Sequence, residues 1–147
     1  MIKINTVLSS NEYNLVKSEY GLVEGQNGTS SIIVKGPDTP PCGEATVDLL
    51  NAIMDIFSKG TSPGIVIHFH KKNKPHVCET PATVSDGDIN MHINWNSALI
   101  TDGYAPLYNS IMIFPNNSTW YNFYNSNGQV MSVPKWVINE IVLKKGD

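Results

Sequence analysis

Arginine is missing from the 147 residues: all ten Lys+Arg positions are lysine, and the formal net charge is -3. Phosphate and base-edge recognition lean on the bidentate guanidinium fork, so a nucleic-acid-binding role is not expected. Cysteine is scarce as well, with only Cys42 and Cys78, too few to make a disulfide framework, and the redox compartment stays open. No apolar run approaches the roughly 20 residues that span a bilayer. The opening stretch Met1 to Thr6 lacks the long apolar core of a signal peptide. The expectation is a chain without a membrane partner, either cytoplasmic or delivered by a dedicated secretion system. Repeats, low-complexity tracts and charge blocks are absent too, and the nine Pro and eleven Gly are scattered as turn punctuation. With 41% hydrophobic content the chain is too apolar for disorder, and its length is too short for two cores. One domain over 1–147 is expected.

What is present reads as alternating short elements. Leu50, Ile53, Met54 and Phe57 recur on one helical face, predicting a helix from Pro40 to Lys59 with Thr39 as N-cap, Lys59 at the negative end and Gly60 as a left-handed stop. Tyr20 to Val23 and Ser31 to Lys35 flank Gln26-Asn27-Gly28, a hairpin pattern. Gly64 to Phe69 predicts a buried strand, and a second helix is expected from Ser85 towards Leu99, ending before Asp102-Gly103. Ser110 to Phe114, Thr119 to Tyr124 and Val130 to Val133 read as strands separated by Asn-rich turns, with a last element within Trp136 to Leu143. Strand hairpins with two helices predict an α+β fold rather than a doubly wound sheet.

Three of the four histidines lie between positions 68 and 76, and His68-Phe69-His70 ends the predicted strand. Residues i and i+2 of a strand point the same way, so both imidazoles can converge on one ion, with Ile65, Ile67 and Phe69 facing a core on the other side. Ser85-Asp86-Gly87-Asp88 follows at the predicted helix start. Taken alone it is a capping box, with Ser85 accepting from first-turn amides and Asp88 reaching back. The same geometry lets Asp88 face the strand carrying His68 and His70. Two His and one Asp would give three protein ligands and one open position, the arrangement of a catalytic zinc site rather than a closed structural one.

His-x-His, a spacer and then Ser-x-x-Asp resembles the JAMM motif of the JAB/MPN+ zinc metallopeptidases. The stretch Ser18 to Gly25 looks like that family's opening strand, Glu-x-x-Gly-x-Leu-x-Gly, with the Gly shifted one place, and Tyr108 to Tyr124 looks like the closing hairpin of small JAB domains. The resemblance covers Glu19 to Gly128. It departs from the family in having Lys71 after the second His and in a spacer of fourteen residues, Lys71 to Val84, longer than usual. In that longer spacer it is similar to JAB-like domains at the C-termini of bacterial RHS/YD-repeat proteins, with effector or processing roles. The resemblance implies a JAB/MPN-like (cytidine-deaminase-like) mixed sheet flanked by two helices with a C-terminal β-hairpin. It also implies Zn2+ held by His68, His70 and Asp88, Glu19 as general base with Glu24 in reserve, and Ser85 as oxyanion donor. The substrate would be a peptide, isopeptide or other amide.

Other patterns compete. Cys42-Gly43-Glu44 at a helix start invites a zinc deaminase reading, but Cys78 has no second Cys beside it. Cys42 could instead be an activated thiolate paired with His68 or His70 in a Cys–His amidase or deamidase. His76 and Cys78 could serve a second metal, and His92 reads as a helix-face residue. A JAB fold kept as a non-catalytic binding module is the remaining alternative.

Overall fold

The computed structural model describes residues 4, 6–7, 12–40, 46–71, 86–107, 109–113, 120–124 and 130–134. Strands β1 (Tyr20–Gly25), β2 (Ser31–Lys35), β3 (Pro63–Phe69), β4 (Asn109–Ile113), β5 (Trp120–Tyr124) and β6 (Val130–Pro134) form one mixed sheet in the order β2-β1-β3-β4-β5-β6. Helix α1 (Leu49–Ser58) precedes β3, and α2 (Asp86–Thr101) lies between β3 and β4. The fold is α+β, as expected. The pairing of β3 with β4 is parallel, and every other ladder is antiparallel. A parallel pair needs a crossover, and α2 occupies that connection.

Strand alternation sorts the core into two layers. Tyr20 and Leu22 of β1, Ile65, Ile67 and Phe69 of β3, and Ile111 and Ile113 of β4 pack together with Ile4, Val7 and Leu15. Val23 and Val66, from the intervening positions, pack instead with Leu49, Ala52, Ile53 and Ile56 of α1 and with Leu99 and Leu107. His68 belongs to this second face because it follows Val66 by two residues.

The first helix departs from expectation in both start and phase. Its N-cap is Asp48, whose Oδ1 accepts from the Asn51 amide at 3.3 Å and whose Oδ2 accepts from the Asn51 side chain at 2.7 Å. Thr39 is engaged elsewhere: its amide and hydroxyl both donate to the Lys17 carbonyl, at 2.8 and 3.0 Å. The buried Lys71 ammonium then donates to Thr39 Oγ1 at 2.9 Å and to the Pro40 carbonyl at 2.7 Å. The buried stripe is Leu49, Ala52, Ile53 and Ile56, whereas Leu50 and Met54 are 54% and 60% exposed. Gly60 does end the helix region, at φ +83°. Close approach of α1 to the sheet depends on Gly21: a Cβ there would fall inside Leu49 Cδ2 and lie 3.3 Å from both Leu49 Cγ and Val34 Cγ2.

Candidate metal centre

Register places the histidines beside Glu19. Tyr20 is opposite Phe69 and Gly21 opposite His68, so Glu19, one residue before β1, falls on the face that presents His68 and His70. The Glu19 carbonyl accepts from the Gly36 amide at 2.8 Å, and the His70 amide donates to the Ile113 carbonyl at 2.9 Å. Both residues are thus tied into the sheet just beyond the ends of their strands. On the other flank of His68, Met112 of β4 is in register and fully buried.

Two carboxylates bracket the imidazole pair. Glu19 Oε2 lies 2.8 Å from His68 Nε2, and Glu19 Oε1 lies 3.9 Å from His70 Nδ1. Asp88, in the first turn of α2, approaches the opposite nitrogens: its Oδ1 is 3.9 Å from His68 Nδ1 and its Oδ2 is 3.4 Å from His70 Nε2. The four side chains are at most a fifth exposed, and the two rings lie 4.7 Å apart centre to centre. Low solvent access strengthens every electrostatic contact among them.

Glu19, His68 and His70 can hold a metal ion together, since one donor atom from each lies within 4.8 Å of the other two. Asp88 lies on the other side of the pair and outside that group. A tetrahedral ion with Zn–N of about 2.1 Å separates its ligands by roughly 3.4 Å, the spacing of Asp88 Oδ2 from His70 Nε2, whereas Asp88 reaches His68 Nδ1 through its other oxygen at 3.9 Å. An acceptor carboxylate at Nε2 places the His68 proton there and leaves a lone pair on Nδ1. That Nδ1 is buried and has no hydrogen-bond partner among the described residues, the state expected of a ligand atom turned towards an ion. Imidazole and carboxylate donors of this kind are a set that a divalent metal ion can take.

Glu24 is half-buried at the far end of β1, in register with Ser31 and Ile65, away from the histidine pair. Ser85, Cys42, His76 and Cys78 lie outside the described residues.

His92 is a finding that reading the sequence as helix-face residues missed. It is fully buried one turn after Asp88, with its ring 5.1 Å from that of Trp95. Burial lowers its pKa to about 3, helped by the neighbouring His68 and opposed by Asp88, so the imidazole is neutral at physiological pH. The spacing Asp88, His92, Trp95, Leu99 is a single helical stripe, and that i, i+4 relation to Asp88 was the available signal.

No helix among the described residues is long and apolar enough to cross a membrane. Comparison of the chain with protein-family models, with curated proteins and with solved structures finds no match.

Proposed function

We propose that this chain is a zinc-dependent amide or isopeptide hydrolase built on a small JAB/MPN-like domain, acting as a bacterial effector or processing module. The observation that carries the reading is the bracketing of one histidine pair by two carboxylates from different elements, each facing a different edge of the rings. In this reading His68 Nδ1, His70 Nε2 and Asp88 hold the ion. When bound, zinc polarises the scissile carbonyl and lowers the pKa of its water towards ~7.

The protein's own groups do the rest. Glu19 Oε2 accepts from His68 Nε2 at 2.8 Å and fixes that ring's tautomer and orientation. The resemblance gives this carboxylate the further role of taking the proton of the attacking water and delivering it to the leaving nitrogen, which requires it to turn from its present edge of the rings, where Oε1 is 3.9 Å from His70 Nδ1, to the edge that Asp88 faces. A base does this within about 2.6–3.2 Å of the proton it moves. Burial of Glu19 keeps bulk water from competing for that proton. Ser85, three residues before Asp88, keeps the oxyanion-donor role that the resemblance gives it.

The test compares Glu19→Gln with Asp88→Asn and His68→Ala in two measurements, zinc affinity by chelator competition and hydrolysis of a panel of peptide and isopeptide substrates. Loss of an outer-sphere partner typically weakens metal affinity by about 10–100-fold, so Glu19→Gln should stay within that range yet be inactive. Asp88→Asn and His68→Ala should lose more affinity than that. Weaker zinc binding by Glu19→Gln than by Asp88→Asn would put the ion on the Glu19 edge and remove Glu19 as the base. No zinc bound by the unaltered protein would end the hydrolase reading.

A further inference from the structure

A second concavity lies between the helices, away from the histidine pair. It has a volume of about 460 Å³ and is walled by Ile53 and Phe57 of α1, by Trp95 and Leu99 of α2, and by Tyr104 and Asp102 beyond the end of α2. Trp95, the lining residue of α2 nearest to Asp88, is seven residues from it, roughly 10 Å along the helix axis, and none of Glu19, His68, His70 and Asp88 lines the concavity, so it is a separate site rather than an extension of the carboxylate–histidine cluster. Its volume falls within the ~300–1,000 Å³ of small-molecule pockets.

The lining has a definite electrical sense. Asp102 is the charged side chain among its described lining residues, and no lysine or histidine is among them. The Phe57 and Tyr104 rings meet at 4.9 Å and 59°, and the Trp95 indole stands on the opposite helix. Aromatic faces carry negative potential and attract a desolvated cation. The C-terminal end of α2 adds negative potential of the same sign. Apolar walls, three aromatic rings and one carboxylate together select an apolar body carrying a positive head and disfavour an anion of the same shape.

We infer that the cleft between α1 and α2 is a binding site for a small organic cation, an aryl- or alkyl-ammonium whose apolar part enters between Ile53, Phe57 and Leu99 while its charged head meets Asp102 and the aromatic rings. The site does not depend on the metal centre.

Titration calorimetry on the full chain with three probes of matched shape tests this: 2-(2-naphthyl)ethylammonium, 2-(2-naphthyl)ethanol and 2-naphthylacetate. The ammonium should bind tightest, with the alcohol about fivefold weaker, the scale of one exposed charge pair, and the acetate weaker still. Asp102→Asn should bring the ammonium to the level of the alcohol and leave the alcohol unchanged. Ala98 is exposed and lines the cleft, so Ala98→Trp should fold normally by circular dichroism and lose all three ligands. Acetate binding as tight as ammonium, or ammonium binding that survives Ala98→Trp, overturns the proposal. So does absence of ammonium binding by the unaltered protein, whether or not sedimentation shows it to self-associate through Leu50 at the same cleft.

Discussion

Replacing Gly21 with Ala should destabilise the protein only while Leu49 is present. The added methyl would fall inside Leu49 Cδ2 and touch Leu49 Cγ and Val34 Cγ2 at 3.3 Å. Leu49 is fully buried at the start of α1 in one cluster with Val23, Ala52 and Val66, so either its side chain must repack among them or the helix must shift. Overpacking of this kind costs about 1–3 kcal/mol. Against it, replacing a strand glycine by alanine returns about 0.5–1 kcal/mol of backbone entropy. The net expected loss is roughly 0–2.5 kcal/mol. Leu49→Ala alone should cost about 2–5 kcal/mol, as a large-to-small change at a buried site. In that background the clash is gone and Gly21→Ala should become neutral or stabilising by up to about 1 kcal/mol. Urea denaturation of the four proteins closes a double-mutant cycle whose coupling energy should be about 1–3 kcal/mol. Equal destabilisation by Gly21→Ala in both backgrounds would refute the claim that helix contact makes glycine necessary there.

The phase of α1 predicts that Met54→Lys, at a position 60% exposed, changes stability by less than about 0.5 kcal/mol in the same urea assay. Lys71→Met keeps the apolar stem but removes the hydrogen bonds of the ammonium to Thr39 and Pro40, and should cost about 1.5–3 kcal/mol by chemical denaturation. His92, with its pKa lowered to about 3 in the folded protein, must take up a proton on unfolding wherever the pH lies below the ordinary histidine value near 6.5. Its neutral burial is therefore fully favourable above about pH 6.5 and is lost progressively as pH falls towards 3. Denaturant midpoints measured across that window should fall less steeply for His92→Leu than for the parent, and an unchanged slope would place the proton uptake elsewhere. Saturating zinc should raise the midpoint of the parent, by about 2.7 kcal/mol at one hundred times its dissociation constant, and should not raise that of His68→Ala.

How far the sequence revealed this structure depended on the range of the interaction concerned. The β1–β2 hairpin was readable from Gln26-Asn27-Gly28, because turn chemistry is local; Gly28 takes φ 72° there, and Asn27 Oδ1 accepts from the Thr29 and Ser30 amides at 3.1 Å. Alternation in β3 likewise separated Ile65, Ile67 and Phe69 from the histidine face. The start of α1 was not readable. Thr39-Pro40 is a sound local helix opening, but Lys17 and Lys71, distant in sequence, take those groups for themselves. Its phase was missed for a related reason: Leu49, Leu50, Ile53, Met54, Ile56 and Phe57 offer two overlapping apolar faces, and contact with Gly21 decides between them. The parallel pairing of β3 with β4 also lies beyond local signals, since reading the tail as successive hairpins does not say which strand lies next to β3. Around the histidines, Glu19 and Asp88 were visible as residue types at plausible spacings. That they take opposite ring edges was not, because it depends on how β1 and α2 approach β3 from two sides.

The antiparallel ladder between β1 and β3 makes the Glu19–His68 contact a gauge of strand alignment. Side chains alternate across a strand with period two, so a slip of one residue between these strands would move Glu19 to the face of Ile67 and Phe69 and leave His68 without its carboxylate. A slip of two would restore the face and displace the pair along the strands by nearly 7 Å, too far for the 2.8 Å contact to form. Only one alignment of the central sheet brings the acidic and imidazole groups together, which makes the Glu19–His68 contact itself an all-or-none report that the two strands have found their proper partners.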